Sequence, residues 1–169
     1  HEPSRRQRQM CIRDRVSFSG VMLTLFMIFL KFGLYSTDGI SAYFSNMILS
    51  DPFSLVGNAL IAFILLFTFS SFWKTSELIE SKTTEALILI LMSASGFMLM
   101  VDSENFIMLF IGLEIGSISL YALAGLNRGD QLSNEASLKY FLLGSLASCI
   151  FIYGIALLYV SLSIIGLYE

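Results

Sequence analysis

Long runs of apolar residues with almost no charge limit what this chain can fold into. The clearest run, residues 106–126 (FIMLFIGLEIGSISLYALAGL), contains a single charged side chain, Glu114. An α-helix rises about 1.5 Å per residue, so about 20 residues cross the ~30 Å hydrocarbon core of a bilayer. Hydrophobic residues make up 56% of the chain and charged residues 14%, a composition far from that of a soluble domain. We therefore predict an all-α fold, a polytopic transmembrane helical bundle.

Five segments are long and apolar enough to span a membrane, and together they form one predicted transmembrane domain, residues 16–169. The predicted spans cover residues 16–35, 53–73, 86–101, 106–126 and 136–160. The links between them are too short for a soluble domain. Residues 36–52 form either an interfacial segment or an ordered loop, and the apolar tail after Val160 either extends the last helix or begins a loop. Ser133 or Asn134 is the candidate N-cap of the last span.

The charges of the links predict the orientation of the bundle. Lys74, Lys82 and Arg128 lie in links on one side. The links at residues 36–52 and 102–105, on the other side, carry Asp and Glu but no Lys or Arg. The positive-inside rule therefore places the basic links in the cytoplasm or matrix and the acidic links outside.

The first 15 residues, HEPSRRQRQMCIRDR, are basic and polar, and the character of the chain changes abruptly at Val16. A native segment of this kind would be a cytoplasmic arm close to anionic lipid. The string also resembles translated adapter sequence from shotgun assemblies. We expect residues 1–15 to be non-native or disordered, and the chain to be a fragment.

Several classes of site are excluded by residue type. The one histidine is His1, so haem or metal ligation by histidine is not expected, and no metal site is predicted. Cys11 and Cys149 do not predict a disulfide framework, because one lies in the basic arm and the other in an apolar helix. No P-loop, dinucleotide-binding fingerprint or catalytic triad is present. We expect no catalytic residues in this chain and no nucleic-acid partner.

Glu114 is the strongest candidate functional residue, and the predicted topology places it near mid-membrane. A carboxylate there costs about 2.5–3.5 kcal/mol on insertion scales, so such a residue is interpreted as functional by default. On a helix it shares a face with Ser117 and Tyr121, a polar stripe suited to a proton path. The alternative is that these hydroxyls only bond to the backbone or to a neighbouring helix.

Small residues flank the predicted site on both helices. Gly112 and Gly116 form a G-x-x-x-G pattern around the acid, which favours close approach of another helix backbone. Gly144 and Ser148 form a similar small-residue face on the last span. We therefore predict that these four residues serve helix packing.

Lys139 is the second candidate for proton translocation. It follows Glu135 at the i, i+4 spacing of a helical ion pair and precedes a strongly apolar run, so its ammonium lies near the inner interface. A proton relay is one interpretation, and a side chain that snorkels to water is the other. Glu85 lies in a polar linker and is interpreted as a solvated acid.

Two strings suggest a family. LFIGLEIGSISLYALAGLNR (residues 109–128) and the fairly specific LKYFLLGSLAS, within residues 135–160, resemble the N-subunit family of proton-translocating NADH:quinone oxidoreductase, respiratory complex I. The resemblance extends more weakly over about residues 20–160.

The resemblance implies that the five spans are the second to sixth helices of a fourteen-helix subunit. Glu114 matches the acid of the fifth helix, which is coupled to a lysine on a broken seventh helix. Lys139 matches the lysine that opens the sixth. The central lysines of later helices would lie beyond Glu169. Glu85 is followed by Ala and Leu where the family has aromatic residues, so no role is carried onto it.

The function implied is proton translocation coupled to electron transfer from NADH to quinone, in a non-redox subunit of the enzyme that is not catalytic alone. NADH, FMN, Fe–S clusters and quinone are expected on or between other subunits, with no cofactor on this chain. The expected partners are other membrane subunits of complex I and the lipid bilayer. The expected location is the bacterial inner membrane rather than an organelle. The alternatives are a subunit of a multisubunit cation/proton antiporter and a structural membrane subunit.

Overall fold

The computed structural model describes residues 19–33, 41–43, 47–75 and 83–165, and the basic arm at residues 1–15 lies outside these ranges. The chain forms five helices there, which confirms the all-α prediction. The helices are α1 (Ser19–Gly33), α2 (Pro52–Thr75), α3 (Thr83–Val101), α4 (Phe106–Ala124) and α5 (Gln131–Ile165).

Four of these helices, α2 to α5, are long and apolar enough to cross a membrane. The remaining helix, α1, is described over 15 residues. The predicted first span, residues 16–35, extends beyond that range at both ends. Helix α5 has 35 residues, so at about 1.5 Å per residue it is about 52 Å long and exceeds the hydrocarbon core. The apolar tail after Val160 therefore continues the last helix, at least to Ile165.

Side chains at the helix starts explain where α2 and α4 begin. Asp51 precedes α2, its Oδ1 atom accepts a hydrogen bond of 2.7 Å from the Ser54 backbone N–H, and Pro52 occupies the first helical position, where no N–H is needed. Asn105 caps α4, because its Oδ1 atom accepts a hydrogen bond of 2.9 Å from the Ile107 backbone N–H.

The predicted cap of the last span was wrong. Helix α5 begins at Gln131, and Asp130 caps it by accepting a hydrogen bond of 3.1 Å from the Leu132 N–H. Ser133 and Asn134 lie inside the first turn instead. Their side chains donate to backbone carbonyls of the preceding turn, where the end of α4 leaves carbonyls unpaired.

A short β-ladder occupies the described part of the link between α1 and α2. Strand β1 (Ser41–Tyr43) pairs antiparallel with β2 (Ile48–Ser50). The Leu49 N–H also donates to the Asp102 carbonyl at 2.9 Å, which joins this link to the one between α3 and α4. The described residues of this link are therefore ordered, and the two acidic links lie at the same end of the bundle. Whether the link lies in the membrane interface stays a prediction.

Helix α3 packs most extensively against α4, and α2 and α5 lie on either side of this pair. A small apolar cluster joins α1 to α2 and α3, with Val21, Leu65, Phe69, Leu87 and Ala94 all buried. Most other large apolar side chains are exposed, above all on α5. This exposure is typical of helices surrounded by lipid or by other membrane helices.

Candidate functional site around Glu114

Glu114 lies midway along α4, and its carboxylate contacts α5. The Ser148 hydroxyl lies within hydrogen-bonding reach of Glu114 Oε1 and of the Gly144 carbonyl oxygen, the latter at 3.1 Å. Both side chains are partly buried. The acid therefore has a hydroxyl partner on the neighbouring helix, as a polar group in an apolar layer requires.

The antiparallel register of α4 and α5 brings these two residues together. At one end the Tyr159 hydroxyl donates to Asn105 Oδ1 at 3.1 Å. At the other end the Ser133 hydroxyl donates to the Ala124 carbonyl at 2.7 Å. Glu114 and Ser148 face each other between these two hydrogen bonds. Ser148 was predicted to serve packing, and its contact with the acid is a finding of the structure.

Tyr121 lies about two turns along α4 from Glu114 and packs against α5. Its side chain is buried, and its ring lies edge-on to Tyr140 and Phe141, with centroid distances of 4.7 and 5.9 Å. The phenol tip lies against Gly144: a Cβ atom at that position would lie 2.5 Å from Tyr121 Cζ and closer still to the hydroxyl oxygen. Gly144 is therefore the residue that admits Tyr121 between the helices.

Ser117 does not extend the contact between Glu114 and α5. Its hydroxyl donates to the Leu113 carbonyl of its own helix, as the Ser119 hydroxyl does to Ile115 at 2.8 Å. This bonding matches the alternative in which hydroxyls of the stripe satisfy the backbone. A proton path along Ser117 and Tyr121 stays a prediction.

The two glycines around the acid face α3, away from Ser148. A Cβ atom at Gly112 would lie 2.7 Å from the Met100 backbone nitrogen, and one at Gly116 would lie 2.9 Å from the Phe97 ring. On α3, a Cβ atom at Gly96 would meet the Gly116 nitrogen at 2.5 Å. Helix α4 therefore presents small residues to α3 and its carboxylate to α5.

Lys139 lies about 13 Å along α5 from Ser148, at 1.5 Å per residue. Its ammonium contacts Glu135 at 2.5 Å, and both side chains are largely exposed, at 69% and 58%. An exposed pair of this kind contributes little to stability. Lys139 and Glu114 are thus separate charged positions, one near the start of α5 and one in the middle of α4.

A polar cluster at the other end of the bundle was not predicted from the sequence. Asp102, just after α3, accepts a hydrogen bond of 2.6 Å from the Asn58 amide of α2. Burial raises the pKa of Asp102, and the Asn58 hydrogen bond and the charge of Lys31 oppose this rise. The cluster lines a cavity of about 390 Å³ between α1, α2 and α3.

The described residues contain no group of three or more His, Cys, Asp or Glu side chains placed to hold a metal ion. The two groups that meet at the Glu114 site are the carboxyl of Glu114 and the hydroxyl of Ser148. A carboxyl exchanges a proton, and a hydroxyl both donates and accepts hydrogen bonds.

Comparison with known protein families places this site in context. The family model described as "NADH:quinone oxidoreductase/Mrp antiporter, TM" matches residues 103–168, which include Glu114 and all of the described α4 and α5. Among solved structures, a chain of respiratory complex I from Thermus thermophilus with bound aureothin is similar, with a TM-score of 0.70 and 32% identity. The match covers 86% of this chain and 30% of that one.

Curated relatives agree with this match. NADH-quinone oxidoreductase subunit N 1 of Chloroherpeton thalassium is 54% identical over 86 residues, 51% of this chain and 18% of that protein. Subunit N of Bartonella bacilliformis is 38% identical over 152 residues, 86% of this chain and 29% of that protein. The chain thus spans less than a third of the length of these relatives.

Proposed function

Since the chain belongs to the NADH:quinone oxidoreductase/Mrp antiporter family of membrane proteins, we propose that it takes part in proton translocation as part of a membrane subunit of NADH:quinone oxidoreductase. The two curated relatives described above are both named subunit N of NADH-quinone oxidoreductase, and this favours that enzyme over an antiporter. The subunit performs no redox chemistry itself. Its role is to move protons across the membrane when electrons pass from NADH to quinone elsewhere in the complex.

One observation carries this proposal: a carboxylate midway along an apolar helix has a hydroxyl partner on the next helix. Burying such a group costs several kcal/mol unless it is paired, and residues of this kind mark ion pathways in membrane proteins. Neither the packing of α4 on α3 nor its capping uses the carboxylate, because both rest on glycines and on Asn105.

The mechanism follows from charge pairing. A cation within about 4–6 Å favours the ionised form of a carboxyl, and removal of the cation favours the protonated form. A lysine of the full-length subunit that approaches and leaves Glu114 would therefore release and capture a proton at this position. Lys139 would exchange protons between the inner surface and the interior. A change of one pKa unit corresponds to about 1.36 kcal/mol, so modest rearrangement moves protons effectively.

The partners proposed are other membrane subunits of the same complex and the surrounding lipid. NADH, FMN, Fe–S clusters and quinone are assigned to other subunits or to boundaries between subunits. The location proposed is the bacterial inner membrane, in line with the bacterial sources of the relatives.

The proposal is tested in the full-length subunit, assembled into its complex in membrane vesicles. Glu114→Ala is compared with Glu104→Gln, which changes an exposed acid in the link between α3 and α4. We expect NADH-driven acidification of the vesicles, followed by a pH-sensitive dye, to fall strongly in Glu114→Ala and to stay normal in Glu104→Gln. Normal acidification in Glu114→Ala at normal assembly would contradict the proposal.

A cation/proton antiporter is the second candidate, because the description of the matching family includes Mrp antiporters. It predicts exchange of Na⁺ for H⁺ in vesicles without NADH, and loss of this exchange in Glu114→Ala. A purely structural subunit is the third candidate, and it predicts that Glu114→Gln leaves every transport activity intact.

A further inference from the structure

We infer that Ser148 is a positioning residue that allows Glu114 to change its protonation state inside the membrane without leaving a polar group unpaired. The inference rests on the proposed role of Glu114 in proton transfer. It adds a residue on a second helix, which the sequence pattern associates with packing, and assigns to its hydroxyl a definite task in each state of the acid.

The geometry gives the Ser148 hydroxyl two acceptors for one hydrogen. Its oxygen contacts Glu114 Oε1 on α4 and lies 3.1 Å from the Gly144 carbonyl oxygen of its own helix. A hydroxyl has one donor and two acceptor sites, so it donates to one of these oxygens at a time. The Gly144 carbonyl also belongs to the helical hydrogen-bond ladder, and it therefore keeps a partner when the hydroxyl turns away.

The two protonation states of Glu114 use this hydroxyl in opposite ways. When the carboxylate is ionised, Ser148 donates to Oε1, and the hydrogen bond is charge-assisted. When Oε1 takes up a proton from water or from a lysine ammonium, the new O–H donates to Ser148 Oγ. The serine hydrogen then rotates to the Gly144 carbonyl. No covalent bond of the serine breaks, and the transferred proton stays on Glu114.

Aromatic contacts hold this part of α5 against α4. Gly144 lies one turn before Ser148 on α5, and the Tyr121 side chain of α4 fills the space beside it. Just beyond Ser148, Phe151 stacks on Phe110 of α4, with ring centroids 6.1 Å apart and planes at 20°. The hydroxyl is therefore held at a fixed level beside the acid, and a site of this kind needs such support from its neighbours.

Other serines show that the contact with Glu114 is not a general property of serines in these helices. Ser117 and Ser119 on α4 donate to carbonyls of their own helix, and so does Ser145 on α5, to Leu142 at 3.1 Å. Ser148 makes this ordinary bond and, in addition, reaches a carboxylate across the helix boundary. Ser145 is therefore a matched control, three residues away on the same helix.

Few other titratable groups lie near this contact in the described chain. Helix α3 carries one acid, Glu85, in its first turn. On α5, Lys139 is paired with Glu135 about two and a half turns from Ser148. Cys149 follows Ser148 in the sequence, and its side chain is exposed. On α4 the titratable residue nearest to Glu114 is Tyr121. None of these replaces the hydroxyl as a hydrogen-bond partner of Glu114 Oε1 in the structure.

Removal of the hydroxyl has an unequal effect on the two states. The ionised form loses a charge-assisted bond, whereas the neutral form loses a weaker one between neutral groups. The difference between these two classes of hydrogen bond predicts that Ser148→Ala raises the ratio of protonated to ionised Glu114 about tenfold at a given pH. The fraction of turnovers that move a proton through this site should fall accordingly.

The experiment uses the assembled complex with the full-length subunit. The infrared carbonyl band of protonated Glu114 is identified by its loss in Glu114→Gln and is followed against pH. We expect the band of Ser148→Ala to persist about one pH unit higher than in the unchanged protein, with reduced NADH-driven proton uptake. Ser145→Ala should leave both the band and proton uptake unchanged.

A second pair of variants separates the hydroxyl from side-chain volume. Ser148→Thr retains a hydroxyl and Ser148→Val has nearly the same shape without one, so titration of the band should be near normal in the first and displaced in the second. Identical titrations in these two variants would overturn the inference, even if Glu114→Gln abolished proton uptake. Normal uptake in Glu114→Gln would instead overturn the proposed function.

Discussion

A substitution at Gly144 tests whether the packing of α4 on α5 has the form described. In Gly144→Ala the new Cβ atom would lie 2.5 Å from Tyr121 Cζ and 3.1 Å from Cε1. Tyr121 has little room to move, because it is buried and its ring contacts both Tyr140 and Phe141. The substitution should therefore force the two helices apart at this level.

The magnitude follows from two opposing effects. Overpacking typically costs about 1–3 kcal/mol. Replacement of Gly by Ala within a helix stabilises the helix by about 0.5–1 kcal/mol. The control is Gly154→Ala, on the same helix, where a Cβ atom meets nothing within 4 Å and only the gain remains. We expect Gly144→Ala to be less stable than Gly154→Ala by about 1–3 kcal/mol.

The assay is denaturant unfolding of the purified full-length subunit in detergent micelles, combined with a double-mutant cycle. In a Tyr121→Ala background the clash is absent, so Gly144→Ala should no longer destabilise the protein. The expected coupling between the two positions is about 1–3 kcal/mol, against less than about 0.5 kcal/mol for independent sites. Equal stabilities of the two glycine variants, or additive effects of Gly144→Ala and Tyr121→Ala, would refute this description of the interface.

Three further predictions concern other parts of the bundle. Gly96→Ala should destabilise the subunit more than Gly144→Ala in the same unfolding assay, because its Cβ atom would meet α4 backbone at 2.5 Å and a backbone atom cannot rotate away. Because burial raises the pKa of Asp102 in the folded protein, the contribution of this residue to stability should be greatest below about pH 4 and decline as the pH rises through the raised pKa. Asp102→Asn should remove that part of the decline in melting temperature between pH 4 and 7. Glu135→Gln should change the free energy of unfolding by less than about 1 kcal/mol, because the ion pair of Glu135 with Lys139 is exposed. A larger decrease in the free energy of unfolding would contradict this.

The helices could be predicted from the sequence because hydrocarbon imposes a simple rule. Each run that is long and apolar enough must satisfy its backbone internally, and a helix does so. The starting point of α5 was less predictable. Asp130, Ser133 and Asn134 are all good capping residues, and the choice of Asp130 depends on the turn that joins α4 to α5.

The candidate site could be predicted only in part. Glu114 is conspicuous because a charge inside an apolar run is costly. Its partner Ser148 is not, since periodicity describes each helix alone and says nothing about the level at which two helices meet. The register of α4 and α5 depends on contacts at both of their ends, such as Tyr159 with Asn105. The hydrogen bond between Asn58 and Asp102 was missed for the same reason, because it joins a residue inside α2 to one that follows α3.

The most direct test of the account is the number of protons moved per electron in vesicles that carry the full-length subunit with Glu114→Gln. The substitution keeps the shape of the side chain and removes its ability to exchange a proton at neutral pH. The account predicts that the complex assembles and that fewer protons move per electron passed from NADH to quinone. An unchanged ratio, with normal assembly and normal electron transfer, would contradict the claim that Glu114 carries protons.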